Sequence, residues 1–173
     1  MTLKKWKVIS VVGIFLFSAL LHFIYDWFPN FFTSLFFPVN ESIGEHNKII
    51  VGSFLFWAII EKIYYKKKKN VIFAESISSL VCMILVMLIF TPVYLYILKT
   101  NDNMIVTFGI FILAIIISQI VSYKLLQKEY YSKLEELGII LFVIFFLINI
   151  IFTYYPPKVA LFYDYTNKIY GLK

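Results

Sequence analysis

Apolar residues come in five long runs, at about 8–28, 43–65, 74–98, 104–123 and 137–153, with polar residues mostly confined to the short stretches between them. Runs of this length without alternation predict helices able to cross the roughly 30 Å hydrocarbon core of a bilayer. The second run is the weak one, because its uncharged part, 49–60, is short. It reaches spanning length only if Glu45, His46 and Lys48 enter one interface and Glu61 and Lys62 the other. Pro92 lies inside the third run and predicts a kink there. Aromatic pairs fall at run ends (Trp27 and Phe28, Tyr64 and Tyr65, Tyr94 and Tyr96, Tyr154 and Tyr155), where amphipathic rings occupy membrane interfaces. The expected fold is all-α: a polytopic membrane helix bundle of about five transmembrane helices, one integral membrane domain over 1–173. An aromatic tail, 154–173, is left outside the bilayer.

Composition agrees with a surface that faces lipid. The chain is 61% hydrophobic and 15% charged, with a mean hydropathy of +0.85, too little polar surface to coat a soluble globule of this size. The net charge of +6 is carried by sixteen lysines and no arginine. A basic chain can signal nucleic acid, but here the lysines alternate between connections. Lys4, Lys5 and Lys7 precede the first run, Lys62 and Lys66–Lys69 follow the second, and Lys124, Lys128 and Lys133 follow the fourth. The stretch 29–42 has none and 99–103 has one. The positive-inside rule then puts the N-terminus inside and the C-terminus outside. The expected setting is a multi-pass protein of the cell membrane, with the lipid bilayer as partner and no nucleic acid. A membrane-protein partner or homo-oligomer is compatible with it.

The lysine-led first run could pass for a signal peptide. It is long, however, and is followed by Trp27, Phe28 and Pro29 instead of a small-x-small site, so it reads as a retained helix. Lys66–Lys69 reads as a topology anchor or a contact for anionic headgroups. Glu61 and Glu75 flank that loop and are expected to pair with its lysines. Gln119 and Asn149 are expected to hydrogen-bond between helices. Cys82 has no partner for an internal disulfide and reads as a packing residue. The lysine-, isoleucine- and asparagine-rich usage points to an AT-rich bacterial genome of the low-GC Gram-positive type.

The candidate chemistry is a polar island, Pro38 to Lys48, together with His22 and Asp26 one helical turn apart at the end of the first run. Ionisable groups near bilayer depth are costly and mark either a site or a satisfied structural knot. In a helix His22 and Asp26 share a face, as do Glu41 and Glu45, and Ser42 and His46. The ligand-binding candidates are His22, Asp26, Asn40, Glu41, Ser42, Glu45 and His46, with Asn40 or Ser42 able to orient a water. His22, Asp26, Glu45 and His46 could hold a divalent metal such as zinc, or act as an acid/base pair. The structural alternative is that Ser42 and Glu45 form a capping box, Asn40 serves a turn, His22 bonds to Asp26 or Tyr25, and Asp26 and Glu41 are simply solvated. No Gly-rich phosphate loop, nucleophile elbow, HExxH or CxxC pair is present.

Three stretches together resemble a known family. They are His22-x-x-Tyr25-Asp26-Trp27, then Pro38-Val39-Asn40-Glu41-Ser42-x-x-Glu45-His46-x-Lys48, and a tail from Phe152-Thr153 through Pro156-Pro157 and Leu161-Phe162-x-Asp164 to Tyr170-Gly171. The chain resembles an uncharacterised Firmicutes family of small multi-pass membrane proteins, a domain of unknown function with a PVNES-x-x-EH motif. It carries Gly44 where that family commonly has Trp, Ala160 where the tail has Pro, and Asp26 where Glu is expected. The resemblance implies fold and membrane location and brings no activity. Three functions stay open: a binder of a small ligand or ion, as a transport or accessory subunit; a membrane-embedded metal- or carboxylate-assisted hydrolase acting near the outer leaflet; or a structural protein with no site. The tail could close over the outer face as a lid or lie frayed on the membrane surface.

Overall fold

The structure is a computed structural model and describes residues 1–66, 70–99, 103–128 and 134–172. Six α-helices follow in order: α1 Leu3–Trp27, α2 Phe31–Phe36, α3 Asn47–Tyr64, α4 Val71–Pro92, α5 Met104–Leu126 and α6 Glu135–Tyr154. A 3-10 turn at Ala160–Phe162 leads into a two-residue hairpin, β1 Tyr163–Asp164 against β2 Ile169–Tyr170, paired antiparallel with Tyr163 opposite Tyr170. At Pro92, where the sequence predicts a kink, α4 gives way to a π-helical turn, Val93–Ile97. A ring without an N–H, clashing with the preceding turn, cannot continue an α ladder there.

α1, α4 and α6 begin before the apolar runs that predict them and α5 ends after its run, whereas α3 begins later than its run. α1 begins at Leu3, capped by the Thr2 side chain accepting from the Lys5 N–H, so Lys4, Lys5 and Lys7 are helical. α3 begins only at Asn47; residues 43–46 form a turn. α2 is an element the apolar pattern does not reveal. Asn30 and Thr33 cap it reciprocally, each side chain accepting from the other's backbone N–H at 3.1 Å.

Burial departs from that of a soluble bundle in two ways: polar and small residues lie inside beside an apolar core that includes Ile14, Phe54, Trp57 and Phe142, and large apolar residues cover the outside. α1 buries Trp6, Lys7, Ser10, Ile14, Ser18 and Leu21, a stripe at helical spacing, and exposes Val8, Ile9, Val12, Leu16, Leu20 and Phe23. α4 buries Glu75, Ser76, Ser78 and Ser79, and α5 buries Ala114, Ser118, Gln119 and Ser122, while both expose leucine and isoleucine. Small and polar residues at helix contacts with leucine and isoleucine exposed on the outer faces is the pattern of helices solvated by lipid. Among the described residues four helices, α1, α4 with its π turn, α5 and α6, are long and apolar enough to cross a membrane. α3 is the inner element. It packs on α1, α4 and α6 and buries residues on most of its circumference, including Lys48 and Glu61 near its two ends.

Close approach is set by glycine at two crossings. A Cβ on Gly13 would lie 2.0 Å from the Trp57 ring, and one on Gly138 would lie 2.4 Å from the Phe73 backbone nitrogen. Hydrogen bonds stitch the same interfaces: Trp57 Nε1–H donates to Ser10 Oγ at 2.7 Å, and Ser18 and Ser53 hydroxyls meet at 3.0 Å. Gln119 reaches from α5 to Glu75 of α4, as its position predicts. The Asn149 amide instead donates to the Phe145 carbonyl one turn back on α6, and among the described residues no bond from it to another helix is formed.

Candidate functional site

α1 and α3 are antiparallel neighbours, so the end of α1 that carries His22 meets the island before α3. The island is held by a buried ion pair. Lys48 is fully buried, and its ammonium donates to Glu45 Oε2 at 2.9 Å, the Ser34 carbonyl at 2.8 Å and the Phe37 carbonyl at 3.3 Å. Those are all three of its protons. Glu45 Oε2 also accepts from the Val39 N–H at 3.2 Å, and Glu45 Oε1 from the Thr153 hydroxyl at 2.6 Å. One cation and one anion, each fully hydrogen-bonded, is the condition under which a buried pair is tolerated. The predicted capping box is therefore only half made. Ser42 Oγ accepts from the Glu45 N–H at 3.3 Å, but the Glu45 side chain goes to Lys48, and the Ser42 N–H donates to Asn40 Oδ1 at 2.8 Å.

The tail docks on the other side of the island. The Gly44 N–H donates to the Leu161 carbonyl at 2.8 Å, and Asn40 Nδ2–H to the Gly171 carbonyl at 2.6 Å. Asp164 accepts from the Glu41 N–H at 3.1 Å and from Thr166 and Asn167. Burial alone would raise the Asp164 carboxyl, but these donors outweigh it and hold it below the ordinary range. Gly171 sits at φ +68°, where only glycine is unstrained, and a Cβ there would also lie 2.6 Å from the Thr153 carbonyl. Of the two tail arrangements open from sequence, the structure has the docked one.

Between these supports, three side chains converge. His22 Nε2 lies 3.1 Å from His46 Nε2, and Glu41 Oε2 lies 3.6 Å from the first and 3.7 Å from the second. Two nitrogens on a tetrahedral zinc at about 2.05 Å would stand roughly 3.3 Å apart. The triangle is thus close to one face of such a polyhedron. His46 is also oriented as a ligand. Its Nδ1 lies 2.7 Å from the Ser42 carbonyl, which only accepts, so Nδ1 carries the proton and Nε2 the lone pair. His22 Nδ1 is buried and has no partner among the described residues. Ligation by His22 Nε2 would leave an unsatisfied N–H at Nδ1, costing about 1–3 kcal/mol, small beside the roughly 10 kcal/mol a structural zinc contributes. The facing His22 ring, above all, holds the Glu41 carboxyl below the usual carboxylate range, with burial opposing and His46 adding to it. Glu41 is half exposed, so the triangle opens to solvent.

The seven candidates thus part ways. His22, Glu41 and His46 form the triangle. Glu45, Asn40 and Ser42 are engaged in the scaffold, through bonds to Lys48, Thr153, the Val39 N–H, the Gly171 carbonyl and one another's backbone. Asp26 is exposed at the end of α1, outside the triangle. Of the four residues expected from sequence to hold a metal, His22 and His46 lie together with Glu41, while Glu45 is bonded to Lys48 and Asp26 is exposed at the end of α1. Sequence spacing misled here because residues 43–46 form a turn ahead of α3, so the regular helical faces expected to pair Glu41 with Glu45 and Ser42 with His46 are not formed. Of Lys48 and Thr153, which neutralise and bind Glu45, only Lys48 has a local signal in the sequence, its i, i+3 spacing from Glu45.

A second buried cluster lies at the opposite end of α3. Lys7 Nζ donates to Glu61 Oε2 and Glu75 Oε1, both at 2.6 Å, and to Ser122 Oγ at 2.7 Å. Ser122 donates to Glu75 Oε1, and Gln119 Nε2–H to Glu75 Oε2 at 2.8 Å. Glu61 and Glu75 therefore pair with Lys7; of the expected partners Lys66–Lys69, Lys67–Lys69 lie outside the described residues. So do Lys133 and the loop residues 100–102.

A family model described as a family of unknown function (DUF6512) matches residues 1–172. No curated protein and no solved structure matches the chain. The chain belongs to that family.

Proposed function

We propose that this family member is a bacterial multi-pass protein of the cell membrane whose outer face binds a divalent cation at His22, Glu41 and His46. α3 is the fifth span, admitted despite its charges because Lys48 and Glu61 are neutralised inside the bundle. The alternation of lysine-rich and lysine-poor connections supports an N-terminus inside and a C-terminus outside, which puts the island and its docked tail on the extracytoplasmic side. The single observation that carries the cation is the triangle of three ligand atoms at 3.1, 3.6 and 3.7 Å, with His46 held in the ligating tautomer. Two imidazoles and a carboxylate suit zinc or a similar borderline ion better than magnesium or calcium. A capture or accessory role follows from a site open to the exterior.

The test is a titration of purified, detergent-solubilised protein with cobalt(II), a spectroscopic stand-in for zinc. One equivalent should bind with the absorption of a tetrahedral site and be displaced by zinc. His46→Ala and Glu41→Ala should each weaken binding at least tenfold, in the range by which loss of a ligand partner lowers metal affinity. Binding unchanged in both variants would refute the site. One observation favours a second reading. A His2Glu set with an open fourth position is also the donor set of hydrolytic zinc sites. Zinc-dependent cleavage of an outer-leaflet ester or peptide, lost in Glu41→Ala, would favour that reading over capture.

A further inference from the structure

We infer that the Lys7–Glu61–Glu75 cluster is a proton-binding site, which holds one exchangeable proton on Glu61 at neutral pH. Three observations carry it. The first is charge. The knot at the outer end of α3 balances one lysine against one glutamate, whereas the inner cluster sets one lysine against two, all essentially removed from solvent. One uncompensated negative charge inside an apolar bundle is costly enough that the group takes up a counter-charge instead.

The second is donor accounting. Lys7 uses its three N–H groups on Glu61 Oε2, Glu75 Oε1 and Ser122 Oγ. Ser122 and Gln119 direct their donors to Glu75. Three of the four carboxylate oxygens are thereby met. The fourth, Glu61 Oε1, is buried with no partner among the described residues, and so is the acceptor oxygen of Gln119. A proton on Glu61 Oε1 cancels the charge and turns one orphan acceptor into a donor. Glu75, with donors on both oxygens, is the carboxylate that stays ionised.

The third is position. Lys7 lies about one helical turn inside the start of α1, Glu61 one turn before the end of α3, Glu75 one turn into α4 and Ser122 one turn before the end of α5. The cluster is roughly 6 Å deep, near enough to the helix ends for exchange with bulk water. No other ionisable group of α1, α4 or α5 bonds to it among the described residues. Lys62 and Glu135 pair with each other at the α3–α6 contact, and the Tyr65 hydroxyl donates to the Met1 carbonyl.

Infrared spectroscopy of the whole purified protein tests this directly. At pH 7 the wild type should show the carbonyl band of one protonated carboxyl, shifted on transfer to D2O. Glu61→Gln should lose that band. Glu75→Gln should lose it too, because either change leaves one carboxylate for one lysine. Replacing sodium by choline should leave the wild-type band as it is. Absence of a protonated carboxyl in the wild type at pH 7 would overturn the assignment, as would persistence of the band in both variants. Loss of the band on adding sodium would overturn it in favour of a metal cation. The wild-type spectrum decides the matter even where a variant fails to fold, and the outer triangle contributes nothing to this band.

Discussion

Glu41 and Glu45 are four residues apart and do opposite work. Glu45 is buried against Lys48, whose ammonium has no exposure at all. Glu45→Ala should therefore cost more than a lost hydrogen bond. It strands a buried cation, for which about 3–5 kcal/mol is expected, read as a lowered midpoint of chemical or thermal unfolding in detergent. The double variant Glu45→Ala/Lys48→Met should recover part of that loss, since the stranded charge is gone. Glu41→Ala, at a half-exposed position, should change stability by less than about 0.5 kcal/mol while weakening cobalt binding. Equal destabilisation by the two single variants would contradict this division. That these two carboxylates sit in a special region was legible from sequence, because ionisable residues between apolar runs stand out. Which of them is structural was not. Thr153, the partner of Glu45 Oε1, comes from 108 residues away, and no local spacing announces it. Lys7 shows the same limit from the other side: among N-terminal lysines it reads as a topology signal, and only the packing of four helices reveals it as a counter-ion.

At the scale of elements, the tail and the island form one unit, and glycine sets its tolerance. A Cβ on Gly44 would lie 2.3 Å from the Phe162 ring, so Gly44→Ala must displace that ring and weaken tail docking, at about 1–3 kcal/mol for an overpacked contact. Trypsin should then cut faster after Lys158 and Lys168 than in the wild type; unchanged cleavage would count against a docked tail. Acid should release the tail as well. Asp164 has a carboxyl held below its unfolded value by the donors that bind it. Its contribution is thus fully present above the unfolded value, near pH 4, and is lost as pH falls through the lower folded value. Tail protection from an acid-active protease should fade below about pH 4, and Asp164→Asn should show weak protection at every pH. The tail's arrangement was not legible, because its hairpin has only two residues per strand and its energy lies in long-range bonds to the island. The short α2 was missed for a related reason. Its exposed Phe31, Phe32 and Phe36 look like a loop of aromatics unless the Asn30–Thr33 cap is noticed.

The whole molecule was the most legible level, because lipid reverses the usual sorting and leaves long apolar runs that few other folds would need. What the runs alone could not assign is α3, the one long helix too charged to pass as a span by composition. Its role rests on where its charges go. Lys48 is neutralised at one end and Glu61 at the other, so both can lie within a bundle that surrounds them. This arrangement carries the last prediction. If α3 spans, connections should alternate sides: Pro29, Asn103 and Lys168 outside, Lys66 and Lys128 inside, all exposed positions. Single cysteines at these sites in a Cys82→Ser background, treated on intact cells with a membrane-impermeant maleimide, should label at the first three and stay unlabelled at Lys66 and Lys128 until the cells are opened. If α3 instead lay within the bundle without crossing, Pro29 and Lys66 would share a side and label alike. Labelling of Lys66 from outside would remove α3 from the spans and would contradict its packing along α1, whose two ends it meets at Lys7–Glu61 and at His22–His46.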